Sequence, residues 1–297
     1  MKTKIFNMNL NKYEIELLFE EKKMKFLFET KIGRFLVKHA LSKKCFSQLY
    51  GAQYSKPKSI SKISDFIKKY EIDMSQFEES DYKNFNDFFI RKFAKNKRQF
   101  PTHLTNLGAP CEGRYFGYEK NTQSNFFPVK GSQLNSEQLL GFSDSGIKWA
   151  PEFTNGPILI ARLAPIDYHR FHYFDDGEVL DQFSLGKDLF SVNPVSAKNF
   201  DDLYLKNHRC VNILQTQNFG LIAYIEVGAL CVGKIVHSNQ SRFFKRGEEK
   251  GYFLFGGSSI VILGQKNKWD PCERIQKETV NGYETLIQLG VTLANAP

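Results

Sequence analysis

Apolar positions in the first hundred residues recur at the three- and four-residue spacing of helices. Residues 9–55 carry this pattern, with Thr30 as a candidate N-cap and Gly51 as the end. Lysines lie between the apolar positions, so the segment is predicted to form a basic amphipathic helix. Shorter helices are predicted over residues 59–70 and 84–93. The apolar positions that define the main helix are Ile32, Phe35, Leu36, Ala40, Leu41, Phe46 and Leu49.

The pattern changes after about residue 105, where short apolar runs are separated by glycines and aromatic residues. These runs have the length and composition of strands, and one helix is predicted over residues 136–140. A polar connector at residues 95–99 is followed by Pro101. We therefore predict an α+β chain, helical over residues 1–100 and mainly β over residues 101–297. The predicted strands are 114–118, 125–129, 157–163, 178–185, 210–215, 220–227, 230–236, 252–255 and 259–263.

Positive charge is concentrated near the N-terminus. The net charge is +9, and residues 1–60 hold 13 Lys and Arg against five Asp and Glu. Such a segment favours an anionic surface, either a membrane or a nucleic acid. The alternative is a helix that packs its apolar side on the core and exposes its lysines. With 41% hydrophobic and 25% charged residues, the composition is that of a globular protein.

The cysteines and the apolar stretches limit the location of the protein. Five cysteines lie far apart in the sequence, without a zinc or disulfide pattern, which indicates a reducing compartment. No signal-peptide pattern follows the first lysines. The longest apolar stretch, residues 220–232, is interrupted by Glu226 and is too short to span a bilayer. We expect any membrane contact to be peripheral and on the cytoplasmic face.

One stretch places two glycines and two serines between apolar runs: Gly251-Tyr-Phe-Leu-Phe-Gly-Gly-Ser-Ser-Ile260. Glycine permits positive φ and close approach of another group to the backbone. The hydroxyl of Ser258 could then reach the carbonyl of Gly257, which is the geometry needed to cut the chain between them. Taken alone, the stretch is more typical of a Gly- and Ser-rich β-hairpin turn, and only the rest of the chain favours the self-cleaving interpretation.

Two further stretches carry titratable side chains. His169 and His172 lie three residues apart beside Asp167, and histidine exchanges protons near neutral pH. The neighbouring sequence offers no evident third metal ligand, so we do not predict a metal site at these histidines. Glu112 lies in a Gly- and Pro-containing turn, where it could orient an imidazole or simply be exposed.

These stretches occur together in an order that resembles the phosphatidylserine decarboxylases, a self-processing family that uses a pyruvoyl group. The resemblance covers about residues 85–290, and residues 1–80 are similar in character only. The most specific parts are the stretch from Arg162 to His172 and the glycine–serine stretch. The matching motifs are Phe85–Lys92, Pro110–Gly113, Val129–Gly131, Leu139–Gly141, Arg162–His172, Ser191–Pro194, Glu226–Gly233, Lys245–Ser259 and Glu284–Thr285.

The resemblance implies that Ser258 attacks the carbonyl of Gly257, that the chain is cut there, and that Ser258 becomes the pyruvoyl cofactor. By similarity His172 is the base, Glu112 orients it, and His169 assists decarboxylation or reprotonation. The mature enzyme is expected to form a Schiff base with phosphatidylserine and to release phosphatidylethanolamine and CO₂. The family usually has Asp where this chain has Glu112, and this difference bears on the rate of processing.

The resemblance also implies two fragments that stay associated, a homodimer, and an anionic phospholipid membrane as the partner. Three other functions remain open at this point. They are a Ser-His-Glu hydrolase acting on lipids, an unprocessed inactive member of the family, and a basic module that binds a membrane or nucleic acid. The hydrolase lacks the Gly-x-Ser-x-Gly elbow, and no nucleic-acid motif is present, so we expect no nucleic-acid partner.

Overall fold

The computed structural model of the chain describes residues 3–16, 19–121, 135–192, 194–197, 203–230 and 234–297. Within these residues the strands are β1 (Thr3–Asn7), β2 (Lys12–Glu16), β3 (Asn106–Gly108), β4 (Gly113–Tyr118), β5 (Ile158–Leu163), β6 (Arg170–His172), β7 (Gly177–Leu185), β8 (Arg209–Thr216), β9 (Leu221–Gly228), β10 (Ile235–His237), β11 (Phe243–Phe244), β12 (Glu249–Phe253), β13 (Ser258–Gly264), β14 (Asp270–Pro271), β15 (Glu284–Ile287) and β16 (Thr292–Asn295).

Helices are concentrated before residue 100. Those of the described residues are α1 (Glu21–Glu29), α2 (Lys31–Leu36), α3 (Lys44–Tyr54), α4 (Ser61–Tyr70), α5 (Phe85–Phe89), α6 (Ser136–Leu140), α7 (Asp144–Trp149), α8 (Pro194–Ala197), α9 (Leu203–Lys206) and α10 (Glu273–Val280). A π-helical turn spans Val37–Leu41, and 3₁₀ turns span Pro57–Ile60, Met74–Gln76 and Ala150–Phe153. The predicted α+β class, helical first and mainly β afterwards, is confirmed.

A large mixed sheet organises the β-rich part, with strand order β11-β7-β8-β9-β13-β5-β4-β15-β1-β2. Neighbouring strands within this sheet pair antiparallel, except β1 and β15, which are parallel. Two smaller sheets have the orders β10-β12-β6 and β14-β16-β3. The main core is formed by the apolar side chains of β4, β5, β8, β9 and β13, all in the centre of the large sheet. Strand β13, which begins at Ser258, therefore lies at the centre of the fold.

The strand predictions hold for most of the apolar runs, because Val, Ile, Leu and aromatic residues favour a buried pleated surface. Three need correction or remain open. Of the run predicted over residues 252–255, only Tyr252 and Phe253 are in a strand, at the end of β12. Of the run predicted over residues 230–236, Leu230 is not in a strand, and β10 begins only at Ile235. The strand predicted over residues 125–129 lies outside the described residues. The helix predicted over residues 136–140 is confirmed as α6. Asn135 and Gln138 form a capping box at its N-terminus.

The N-terminal region differs from the predicted continuous helix. Residues 12–16 were predicted to be helical but form strand β2, which pairs with β1 at the edge of the large sheet. The physical reason is tertiary: β2 exposes Tyr13 and Ile15 and buries Glu16 against two arginines described below. The boundary at residue 101 stays a prediction, although residues 3–16 belong to the same sheet as the β-rich part.

The predicted basic helix is divided into α2, the π-helical turn and α3. Thr30 is confirmed as its N-cap, because its Oγ1 accepts a hydrogen bond from the Gly33 amide at 2.9 Å. Gly51 was predicted to end the helix, but it lies buried within α3, which continues to Tyr54. The helix predicted over residues 84–93 begins after the cap Asn84 and ends earlier, at Phe89.

Candidate active site

The Gly256-Gly257-Ser258 segment connects β12 to the central strand β13. Ser258 pairs with Leu163 of β5 on one side and with Gly228 of β9 on the other. Gly256 has a φ of 143°, which side chains other than glycine rarely adopt. At Gly257 an added Cβ would find its nearest neighbours 3.9 Å away. The first glycine permits the turn, and at the second an added Cβ would be in ordinary van der Waals contact with Leu163 and Val192.

The residue before the two glycines is anchored by the N-terminal helices. The Phe255 amide donates a hydrogen bond to Asn86 Oδ1 at 2.9 Å. Its ring stacks on Tyr54 of α3 with 4.0 Å between centroids, and it also contacts Phe85 and Phe89 of α5. Such aromatic contacts contribute about 0.5–1.5 kcal/mol each beyond burial. Helices α3 and α5 therefore position the glycine turn, although they lie far from it in sequence.

Ser258 carries a buried hydroxyl with no hydrogen-bond partner among the described residues. Leaving a buried hydroxyl unpaired costs about 1–3 kcal/mol, so native proteins rarely retain one without a reason. A serine hydroxyl without a hydrogen-bond partner among the described residues is a candidate nucleophile toward the preceding peptide bond.

His169 lies against the glycine turn. Its ring stacks on Phe89 with 4.0 Å between centroids, and its Nδ1 is 3.0 Å from the Asp167 carbonyl oxygen. Burial lowers the pKa of His169 to about 3, although hydrogen bonds to the backbone of Asp167 and Gly256 oppose this shift. The imidazole is therefore neutral at pH 7. With Nδ1–H donating to Asp167, its Nε2 carries the lone pair.

His172 lies at the other end of β6 from the turn, opposite Glu249 in the β6–β12 register. Its Nδ1 is 3.0 Å from the Gly247 carbonyl oxygen, and its Nε2 is 3.3 Å from the Tyr168 hydroxyl. Burial lowers the pKa of His172 as well. Both ring nitrogens thus have partners other than the Ser258 hydroxyl.

Glu112 comes close to His172 through the backbone only. The His172 amide donates to the Pro110 carbonyl at 2.8 Å, so the two loops are adjacent. The Glu112 carboxylate, however, accepts a 2.6 Å hydrogen bond from Arg98. Burial raises the pKa of Glu112, and Arg98 opposes this shift. Among the described hydrogen bonds none joins Glu112 to His172, so the orienting role stays a prediction.

A buried ion network on the next strands was not anticipated from the sequence. Arg162 contacts Glu284 and Glu16, with shortest distances of 2.5 and 2.8 Å. Arg114 contacts Glu16 at 2.8 Å and also pairs with Asp167. Asp167 in turn supplies the backbone oxygen that holds His169. The network therefore ties the N-terminal strand β2 to the loop that positions a candidate catalytic histidine.

Only part of this network had a sequence signal. Arg162, Asp167 and Glu284 lie within motifs noted above, but nothing in the sequence around Glu16 marks it as functional. A charged residue at the end of an edge strand is usually exposed, whereas Glu16 is 7% exposed. The two arginines explain its burial, because a buried carboxylate needs opposite charge close by.

We expect Glu16→Gln to destabilise the protein by about 3 kcal/mol, because it leaves two buried arginines with less opposing charge. Chemical denaturation, followed by tryptophan fluorescence, measures the change. Glu14→Gln is the matched control on the same strand, since Glu14 is more exposed and contacts Lys12 and Asn7. Equal losses of stability in the two variants would contradict a structural role for the network.

A cavity of about 310 Å³ opens beside the glycine turn. Gly256 and Gly257 lie at one wall, together with Leu163 and Val192. Residues of helix α1 and of the segment that follows it, through α3, also line the cavity. Apolar side chains dominate this part of the lining, with one cation and two phenols among them: Lys23, Met24, Leu27, Leu41, Phe46, Tyr50 and Tyr54. The cavity can therefore hold a ligand with an apolar part close to the candidate nucleophile.

Comparison with known proteins supplies the decisive observation. A family profile described as phosphatidylserine decarboxylase matches residues 85–288. The chain belongs to the phosphatidylserine decarboxylase family. Members of this family are carboxy-lyases, and this chain is therefore a carboxy-lyase. The matched residues include the glycine turn, both histidines and Glu112.

Curated relatives of the family are similar over nearly the whole chain. The "Phosphatidylserine decarboxylase proenzyme" of Clostridium novyi (strain NT) is 34% identical over 290 residues, 97% of each protein. "Phosphatidylserine decarboxylase proenzyme 2" of Clostridium acetobutylicum is 37% identical, over 98% of this chain and 97% of that protein. The likeness therefore extends to the N-terminal region, beyond the residues 85–290 in which the sequence motifs were recognised.

Proposed function

We propose that the chain is the precursor of a phosphatidylserine decarboxylase that cuts itself between Gly257 and Ser258. The observation that carries this proposal is the buried Ser258 hydroxyl, which has no hydrogen-bond partner among the described residues, directly after Gly257, which lines the cavity. The word proenzyme in the names of the relatives supports a processing step. The neutral His169 next to the same turn adds a group that can exchange protons there.

The cleavage chemistry uses only this chain and one water molecule. Ser258 Oγ adds to the Gly257 carbonyl carbon, the C–N bond breaks, and an ester replaces the amide. A base then removes the Ser258 α-proton, the Cβ–O bond breaks, and the Gly257 carboxylate leaves. The dehydroalanine that remains takes up water and loses ammonia, which produces a pyruvoyl group. The fragments are residues 1–257 and 258–297.

The residues present fit the pyruvoyl group. It would be held at position 258, between β5 and β9, with the glycine turn and His169 beside it. The group supplies a carbonyl that accepts the electron pair released in decarboxylation. In the mature enzyme we assign His169 to hold and return a proton at the reacting carbon. The apolar wall of the cavity would hold the lipid part of phosphatidylserine and exclude water.

The processed fragments should remain together, because residues 258–297 are interleaved with the rest of the fold. Strand β13 is hydrogen-bonded to β5 and β9, and β15 lies between β4 and β1. Helix α10 packs on β4 and β15. A cut before Ser258 removes no strand pairing of β13. The homodimer implied by the resemblance stays a prediction.

The N-terminal helices present a surface that fits an anionic membrane. In the parts of the chain that the structure describes, no helix is both long and apolar enough to cross a bilayer. Instead Ile32, Phe35 and Leu49 are 68, 64 and 71% exposed. Exposed lysines lie among them, and each basic residue near an anionic surface contributes on the order of 1 kcal/mol. We propose that α2 and α3 rest on the membrane and open the cavity toward the lipid.

Intact-mass measurement of the purified protein tests the proposed function. We expect two fragments that meet at the Gly257–Ser258 bond and a small fragment whose N-terminus is blocked by a carbonyl group. Decarboxylation of phosphatidylserine in mixed vesicles should accompany these fragments. A single chain of 34.3 kDa in a preparation that decarboxylates the lipid would overturn the proposal. An uncut chain without activity would instead indicate an inactive member of the family.

The double variant Phe35→Ser, Leu49→Ser is expected to weaken vesicle binding roughly tenfold or more, because each side chain loses part of its burial in the membrane. Co-sedimentation with vesicles that contain phosphatidylserine measures the effect. Self-cleavage should be unchanged, since both side chains point to solvent. Val280→Ser is the control, because Val280 is 86% exposed but lies on α10. If the control weakens binding as much, α2 and α3 are not the docking surface.

A further inference from the structure

Three metal-ligating side chains converge outside the candidate active site. They are Cys210 on β8, Glu226 on β9 and His237 on β10, and their ligand atoms all lie within 4.8 Å of one another. Cys210 and Glu226 are directly opposite in the β8–β9 register. His237 reaches them from the small sheet, with its Nε2 3.4 Å from Glu226 Oε2. No step of the proposed reaction uses these residues.

We propose that these three side chains bind a divalent transition-metal ion of the zinc type. The ligands would be Cys210 Sγ, Glu226 Oε2 and His237 Nε2. A thiolate and an imidazole favour Zn²⁺ or Co²⁺ over Mg²⁺ and Ca²⁺, which prefer oxygen ligands only. Three protein ligands leave a fourth tetrahedral position for water. The His237 side chain is 20% exposed, so an ion can reach the site from solvent.

Each proposed ligand is held by a second polar side chain, as in known metal sites. Gln182 Nε2 is 3.1 Å from His237 Nδ1, and the two ends of this amide can exchange places. With the Gln182 oxygen toward the ring, Nδ1–H donates and the Nε2 lone pair faces Glu226.

The other two ligands are fixed in the same way. Ser184 Oγ is 3.3 Å from Cys210 Sγ, and Asn212 Nδ2 donates to Glu226 Oε2 at 2.9 Å. Ser184 and Asn212 lie on β7 and β8, within the large sheet. All three ligands and their supports are therefore on paired strands, which hold geometry better than loops do.

Lys250 supplies the positive charge that balances the buried Glu226 carboxylate. Its Nζ is 2.6 Å from Glu226 Oε1, and the Lys250 side chain is 2% exposed. This ion pair uses Oε1 and leaves Oε2 on the side of Cys210 and His237. When a metal ion binds, the Cys210 thiol releases its proton to solvent, so two negative ligands face the ion. The Lys250 pair can stay in place, because the ion uses the other oxygen.

A metal ion here would fasten two sheets together. Cys210 and Glu226 belong to the large sheet, whereas His237 belongs to the sheet β10-β12-β6. In that sheet His237 pairs with Gly251 of β12, the strand that leads to the glycine turn. We therefore assign the ion a stabilising role for the sheet that carries the turn and His172.

Cobalt titration of the chelator-treated, full-length protein tests the site. We expect saturable binding of one Co²⁺ per chain with thiolate-to-cobalt charge-transfer absorption, which Zn²⁺ displaces. Cys210→Ser should abolish that absorption. Gln182→Leu should keep the absorption and weaken binding about tenfold, because it removes a supporting hydrogen bond. Cys45→Ser is the control, since Cys45 is an exposed cysteine on α3, and it should change nothing.

Each outcome of the cobalt titration either supports or contradicts the proposed metal site. Absence of saturable cobalt absorption in the unaltered protein, or its retention in Cys210→Ser, would overturn the site. If Cys210→Ser does not fold, Gln182→Leu still decides, because unchanged affinity in that variant contradicts the proposed geometry. The readout is a metal spectrum and not decarboxylation. A negative result would therefore leave the proposed function untouched, and an inactive enzyme could still show the site.

Discussion

Replacing Ser258 with alanine is expected to leave the chain whole and to reduce decarboxylation below detection. Alanine has no oxygen to attack the Gly257 carbonyl, and no pyruvoyl group can arise without the Ser258 side chain. Intact mass and denaturing electrophoresis report the cut, and release of CO₂ from phosphatidylserine reports activity. The fold should be kept, because the lost hydroxyl has no hydrogen-bond partner among the described residues.

Ser259→Ala is the matched control for this experiment. Ser259 is the next residue of β13, equally buried, and it lies opposite Arg162 and Val227 in the register. Successive residues of a strand point to opposite faces, so its hydroxyl faces away from that of Ser258. The Ser259→Ala chain should be cut normally. Cleavage of the Ser258→Ala chain at the same bond would remove the basis of the proposed mechanism.

Alanine variants of the two histidines are expected to separate cleavage from decarboxylation. His172→Ala should accumulate the uncut chain, as the family resemblance implies for the base. His169→Ala should still be cut but lose decarboxylation by roughly 10²–10⁴-fold, the usual contribution of a general acid or base. The reason for the second expectation is that His169 lies against the Gly256 backbone, close to the candidate pyruvoyl position 258.

Time courses of fragment formation and of CO₂ release measure the two steps independently. If His169→Ala blocks cleavage and His172→Ala does not, the base is His169, and the observed contact with the turn would explain it. Glu112→Gln adds a further comparison, since a residue that orients His172 should affect the same step as His172. Phe142→Ser is a control for nonspecific effects of substitution and purification, because Phe142 is 78% exposed and lies outside the site.

Local sequence patterns determined the elements whose cause is local. Thr30 begins a helix because its side chain caps the first turn, and Asn84 does the same for α5. The runs that became β5, β9 and β13 are mostly apolar, apart from Arg162, Glu226 and the two serines that begin β13, which suits strands at the centre of a sheet. The glycine pair was recognised for its backbone freedom, and Gly256 does adopt positive φ.

The same local patterns could not reveal contacts between distant residues. Glu16 meets Arg114 and Arg162 only because β2 and β1 join the large sheet beside β15, which is a matter of strand order. That contact overrode the helical pattern of residues 12–16. Gly51 reads as a helix end in sequence, yet it lies inside α3, where the Asn86 side chain reaches its carbonyl.

The sequence alone therefore determined the class of fold, the family and the residue types of the candidate site. Tertiary structure decided which of these residues meet: His169 with the turn, Glu112 with Arg98, and Cys210 with Glu226 and His237. The physical reason is the distance along the chain over which each kind of interaction acts. Periodicity and capping act within a few residues. These contacts depend instead on strand order and register, which bring together side chains that are far apart in the sequence.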